Sequence, residues 1–341
     1  MPFIAPDVGI DLGTSYTLVY VRGKGIVVSE PTLVVIDGSN KRNVMAIGEE
    51  ARLMKGRIAG EVIDIYPLKE GVISDFDMTK IMLQYFIREA IGVSNIIKPR
   101  LLITVPSNIS PIEKHAVSEA AKAAGARQIF VVEKPFAAAI GTGLPVYEPV
   151  GNMIVDIGGG TTDVAVISLG GLVIAHSIRV GGMKMDEGII NFIKKEYNML
   201  IGDRTAEEIK INLGAALPLA EKRNALIRGR DLITSLPQTT EISTEQVYQA
   251  LHEPCEAILS AIKWVLERTP PELSADIMRN GIHLTGGGAL LFGIDQFIAS
   301  ELGIPVLLSK EPLESAAMGI GYLTENIELL HRIGKSGFFH S

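Results

Sequence analysis

The sequence predicts an α/β protein of two similar halves around a cleft, each half carrying a smaller inserted subdomain. Three observations predict it. Short β-branched runs alternate with helical stretches along most of the chain. A hairpin with the order strand, Asp, Gly-containing turn, Thr, strand occurs twice, over residues 9–20 and 153–168. Two stretches, 33–74 and 183–250, interrupt the pattern, one in each half. Alternating strands and helices imply largely buried sheets. The return of Asp, Gly and Thr in the same order reads as an internal duplication.

Taken in order, Val8-Gly9-Ile10 and residues 17–21, 25–28 and 32–36 are short runs ending in Gly, Asn or Asp, and read as one meander. Helical apolar spacing follows over 78–91, then a continuous apolar strand over 101–105 that stops at Pro106. An alanine-rich helix over 112–124 is stopped by Gly125 and followed by a strand over 128–132. The second half repeats the opening: a strand over 153–156, the turn Gly158-Gly159-Gly160, and a strand over 163–168. Residues 183–250 are polar and read as helical, with Arg204 to Lys210 opening one helix; 248–268 reads as another. A strand ending at Leu284-Thr285 turns through Gly286-Gly287-Gly288 into a helix over 290–301. The expected division is a first large subdomain of 1–32, 75–145 and 322–341 with 33–74 inserted, and a second of 146–182 and 251–321 with 183–250 inserted. No long linker separates the halves, so they should pack face to face.

Composition excludes several classes. Of 341 residues, 47% are apolar and 21% charged, which is globular rather than disordered. A net charge of −7 leaves no basic face for nucleic acid. The one cysteine, Cys255, makes neither an internal disulfide nor a zinc site; it reads as a small buried hydrophobe and fits a reducing cytoplasm. The start, Met1 to Pro6, lacks the basic and apolar regions of a signal peptide, and no run approaches the roughly 20 apolar residues of a membrane span. The histidines have no metal-ligand spacing, and Gly334-Lys335-Ser336 lacks the first glycine and the preceding strand of a P-loop.

Three motifs carry chemistry. In Gly9-Ile10-Asp11-Leu12-Gly13-Thr14-Ser15-Tyr16-Thr17, Gly13 permits a tight turn, and the N–H groups and hydroxyls after it can cradle phosphate oxygens. Asp11, at a strand end beside those phosphates, suits a hydrated Mg²⁺. In Asp156-Ile157-Gly158-Gly159-Gly160-Thr161-Thr162-Asp163, three glycines let the backbone close over terminal phosphates, with Asp156 sharing the metal. The third, Gly286-Gly287-Gly288, gives a flat surface for a nucleobase and ribose.

The two hairpins and the later glycine turn resemble the actin, Hsp70 and sugar-kinase superfamily. Within it, Gly23 to Val28, residues 133–141, 152–168 and 267–284 are similar to the bacterial actin MreB, and the similarity covers about residues 7–330. The resemblance implies an actin-like fold, ATP or ADP with Mg²⁺, paired protofilaments of the chain itself, attachment to the inner face of the cell membrane and a role in cell shape. Other bacterial actins and membrane shape proteins are the further partners it suggests. It assigns Gly13, Thr14, Ser15 and Tyr16 to the first phosphate loop, Gly158, Gly159, Gly160 and Thr161 to the second, and Asp11 and Asp156 to the metal. Glu207 and Lys210 fall to the ribose and adenine, Gly286, Gly287 and Gly288 to the adenosine turn, and Gly182 to the nucleotide without a named part. Residues 137–141 and 316–321 match two small-residue crossings between the halves. Ile96 and Ile97, followed by Lys98 and Arg100, match a lipid-inserting loop, and the tail 331–341 is a candidate second anchor.

Two departures matter. Tyr16 stands where the family has Asn, and Lys134 stands where it has the glutamate that positions the attacking water. A protonated lysine only donates hydrogen bonds, so ATP hydrolysis at Lys134, Thr161 and Asp156 should be slow. The competing reading, a small-molecule kinase of the same superfold, needs a further cleft Asp as base, and none is evident.

Overall fold

The computed structural model describes residues 6–40, 43–55, 62–92, 98–326 and 329. Strands β1 (Asp7–Leu12), β2 (Tyr16–Val21) and β3 (Gly25–Pro31) form the expected antiparallel meander. The run expected as its fourth strand leaves it. Pro31 has no N–H to extend the ladder, and the Thr32 hydroxyl donates to the Gly13 carbonyl at 2.7 Å, turning the chain away. Strand β4 (Val34–Asp37) instead pairs with β5 (Val44–Ile47) and β6 (Val62–Ile65) in a separate small sheet. Helix α1 (Glu49–Met54) and the ribbon of β7 (Leu68–Lys69) and β8 (Val72–Ile73) complete this stretch. Helix α2 (Phe76–Ile91) starts where Asp75 accepts the Met78 N–H, and α3 (Pro111–Ala123) starts on a capping box of Ser110 and Glu113. Between and after them, β9 (Arg100–Val105) and β10 (Gln128–Glu133) add in parallel beside β1, and α4 (Lys134–Gly141) follows at once. The sheet order is β10-β9-β1-β2-β3.

The second half repeats that order. β11 (Asn152–Ile157), β12 (Thr162–Ser168) and β13 (Gly171–Ile178) form the meander, with β17 (Ile282–Thr285) and β18 (Val306–Leu308) parallel beside β11, giving β13-β12-β11-β17-β18. Between them, α5 (Gly182–Tyr197) and α6 (Asp203–Leu213) are the expected helices, but β14 (Met199–Leu200), β15 (Asn224–Asp231) and β16 (Pro237–Ser243) form an antiparallel sheet where only helix was expected. The period-2 signal is faint because β15 and β16 each bury one residue, Ile227 and Ile242. Helices α7 (Thr244–Arg268) and α8 (Pro271–Asn280) lead into β17. The single helix expected after the third glycine motif is split: a 3₁₀ turn at Gly287–Leu290, then Gly293 in the left-handed region at φ 74°, then α9 (Ile294–Leu302).

The halves join through α4 and α10 (Ser315–Glu325), whose Phe136, Ala137, Ala138, Ala139, Ala316 and Ile320 form one core with Leu102 and Val132 of the first sheet and Ile154 and Ala165 of the second. A Cβ on Gly141 would overlap the Ser315 carbonyl, and one on Gly319 the Ala137 carbonyl. The helices therefore cross backbone to backbone, leaving no side-chain bulk at the joint. Cys255 is buried in α7, where burial pushes its thiol up to about 12.

Candidate functional site

A cleft of about 630 Å³ lies between the halves, within the range of small-molecule sites. Asp11, Gly13, Thr14, Ser15, Tyr16, Lys134, Asp156, Gly158, Gly159, Gly160, Thr161, Gly182, Glu207, Lys210, Gly286, Gly287 and Gly288 all line it. The duplication explains the convergence: each hairpin hangs from the same place in its own sheet, and the crossing of α4 and α10 turns the two toward each other. The turns interlock. A Cβ on Gly159 would strike Ser15, and one on Gly160 would strike Thr14. Ile96, Ile97 and the tail 331–341 lie outside the described residues.

At the floor are two carboxylates. Thr104, next to Asp11 on β9, donates its hydroxyl to Asp11 Oδ1 at 2.6 Å and accepts the Leu12 N–H at 3.2 Å. Asp156 stands opposite, 2% exposed, and its Oδ1 has no hydrogen-bond partner among the described residues. Lys134, the first residue of α4, sends its ammonium between them, with Nζ 3.7 Å from Asp11 Oδ2 and 3.7 Å from Asp156 Oδ2. Burial and the positive end of α4 both disfavour a cation there. The carboxylates of Asp11, Asp156 and Asp163 outweigh the burial and hold the ammonium pKa above its usual value. Glu133 points elsewhere: it does not line the cleft, and burial raises its carboxyl.

Thr161 donates its hydroxyl to Asp163 Oδ2 at 3.1 Å, so its lone pairs remain for a water. Asp163 also accepts the Ser107 N–H at 2.8 Å, and burial, with Asp156 adding to it, pushes its carboxyl up to about 6. At the far end, Lys210 Nζ donates to the Gly182 carbonyl at 3.0 Å and pairs with Asp186 at 2.8 Å. Glu207 is exposed and makes no ion pair with Lys210 among the described residues.

Sequence reasoning missed Asp186, Thr104 and Gly71. Asp186 corrects the expectation that the cleft holds no aspartate beyond the two on its floor, although Lys210 already engages it. No local signal marks it, because its partner Lys210 lies on another helix. Thr104 was the one polar residue in an apolar strand. The Gly71 N–H donates to Thr14 Oγ1 at 3.0 Å. Across the mouth, Lys55 pairs with Asp203 at 2.8 Å and Arg179 with Glu70 at 3.4 Å.

Two carboxylates at one point match, in number, a Mg²⁺ shared between protein and phosphates. In charge they do not: the Lys134 ammonium already sits 3.7 Å from both, and a divalent ion between them would meet it at contact distance. The residues as placed do not fit the metal.

Two five-stranded sheets of one topology, joined by crossing helices around a glycine-lined cleft, define the actin-like class of fold. Residues 5–332 match the family model described as MreB/Mbl protein. The cell shape-determining protein Mbl of Bacillus cereus (strain ATCC 10987 / NRS 248) is 50% identical, covering 96% of this chain and 98% of that one. The cell shape-determining protein MreB of Escherichia coli (strain K12) is 46% identical over 95% and 94%. Among solved structures, MreB 5 of Spiroplasma citri bound to AMPPNP superposes with a TM-score of 0.91 at 35% identity, covering 98% of this chain and 100% of that one. The chain belongs to the MreB/Mbl family. No helix among the described residues is long and apolar enough to cross a membrane.

Proposed function

We propose that this chain is a nucleotide-binding subunit of a bacterial actin filament, acting in cell shape at the inner face of the cell membrane. The observation that carries it is the convergence of both hairpins, the Gly286–Gly288 turn and Lys210 on one cleft. The AMPPNP-bound relative of the same fold supports ATP or ADP as the occupant. Gly13 to Tyr16 and Gly158 to Thr161 hold phosphates; Gly182, Glu207, Lys210 and Gly286 to Gly288 hold the nucleoside. A contact between unlike faces does not close, so repeated addition gives a filament. The small lobes, 33–74 and 183–250, make that contact. The membrane contact rests on Ile96 and Ile97, and liposome binding of the double serine variant tests it. The whole reading is tested by sedimentation and electron microscopy with and without ATP; a chain that stays monomeric at high concentration with ATP overturns it.

Hydrolysis is slow. Cleavage needs a water in line with the γ-phosphate and an acceptor for its proton. The Lys134 ammonium only donates, and Thr161 offers lone pairs but is a weak base. The missing acceptor is worth about 10²–10⁴-fold in rate. Phosphate release should therefore rise in Lys134→Glu. Release from the wild type matching a family member that has glutamate at this position rejects the proposal.

A further inference from the structure

Lys134 does more than remove an acceptor, because its placement bears on the charge of the whole site. We propose that the Lys134 ammonium is a built-in counter-cation that takes the electrostatic place of a divalent metal, so that the cleft binds ATP with little dependence on Mg²⁺. This rests on the cleft being a nucleotide site.

Geometry carries it. Nζ is equidistant, at 3.7 Å, from one oxygen of Asp11 and one of Asp156, the two acids that would otherwise organise the metal. Both distances exceed the 2.7–3.2 Å of a well-formed N–H···O bond, so the acids hold the ammonium loosely and it can turn a donor toward a third partner. Nζ also lies beside the second phosphate loop, 3.8 Å from where a Cβ on Gly158 would stand. The group therefore faces the acids on one side and the phosphate space on the other, as a bridging cation does. The Lys134 side chain is 15% exposed and the two carboxylates 7% and 3%, so the three charges interact with little screening.

Charge accounting gives the consequence. Without the lysine, Asp11 and Asp156 would repel the terminal phosphates and need a divalent ion between. With it, one positive charge lies within reach of acids and phosphate alike, and a metal entering there must displace or repel it. Glutamate at 134 would instead add a third negative charge and demand the metal.

The test is ATP affinity, by titration calorimetry, in Mg²⁺ and in EDTA, for the wild type, Lys134→Gln and Lys134→Glu. The wild-type dissociation constant should change by less than about threefold on removing Mg²⁺, whereas Lys134→Glu should weaken by about tenfold or more. Lys134→Gln, which removes the charge and keeps a polar side chain one atom shorter, should fall between. If the wild type loses tenfold or more in EDTA, the counter-cation proposal is overturned while the nucleotide reading stands. If it binds ATP in neither condition, both fall. The wild-type comparison decides even if a variant fails to fold.

Discussion

The two hairpins share a scaffold but divide the work. In the first, Asp11 is paired across the ladder with Leu18, and Thr104 on the neighbouring parallel strand ties its carboxylate at 2.6 Å. In the second, Asp156 is paired with Asp163, and the matching threonine, Thr285, gives its hydroxyl to the Pro312 carbonyl at 3.1 Å. One acid is thus anchored, whereas the other keeps a free oxygen beside a second buried carboxyl. The turns differ in the same sense: the first brings the hydroxyls of Thr14 and Ser15, and the second brings glycines that make room for them. Duplication fixes where the two turns stand, and a few substitutions decide which grips and which yields.

The largest effect should come from Asp163, which has no counterpart in the first hairpin. Burial, with Asp156 adding to it, raises its carboxyl from the ordinary 3.8 to about 6. Between those values the folded chain holds the proton more tightly than the unfolded one. The stabilising contribution is therefore full below about pH 4 and is lost as pH rises through 6, at up to about 1.4 kcal/mol per pH unit. Asn can still accept the Ser107 N–H, so Asp163→Asn should be more stable than the wild type at pH 7.5, with the gap closing at pH 4. Urea unfolding at both values checks it; an equal gap at both pH values refutes it.

Exchanging the turn chemistry should come next. Gly160→Ala drives a Cβ into Thr14 and should cost about 1–3 kcal/mol, whereas Ser15→Gly, at the equivalent place in the first turn, should cost under about 1 kcal/mol. Equal melting temperatures for the two variants would show that the turns do not interlock. The smallest contrast is between the threonines. Thr104→Val removes a hydrogen bond to a charged acceptor, worth about 1.5–3 kcal/mol, and Thr285→Val removes one to a neutral carbonyl, worth about 0.5–1.5 kcal/mol. Chemical denaturation that ranks them the other way would mean that Asp11 is not the anchored acid.

Much of this was legible in the sequence, because the repeated Asp, Gly and Thr are set by local backbone needs that leave local marks. The strands β1 to β3, β11 and β12, the helices α2 and α3, and the glycine and threonine turns follow from such marks, whereas β13 left none that was read, and Gly182, Glu207 and Lys210 came from the family resemblance alone. What was not legible depended on distance in space. β4 leaves the first sheet at Pro31, and the sheet of β14 to β16 hides because its outer faces are wet. Asp186 is recognisable only once α5 and α6 bring it to Lys210. Lys134 was visible as a departure, but nothing in Glu133-Lys134-Pro135 says that its side chain turns inward between two acids from different halves.

The solitary thiol in α7 makes the chain convenient for spectroscopy. Cys255 is buried and stays protonated at neutral pH, so it reacts slowly with maleimides. Cysteines introduced by Lys55→Cys and Asp203→Cys, whose parent side chains meet at 2.8 Å across the mouth, would be the two fast-reacting thiols among the described residues. A pyrene on each of that pair would give excimer emission while the mouth is closed and lose it on opening, in solution and without removing any native residue from the core.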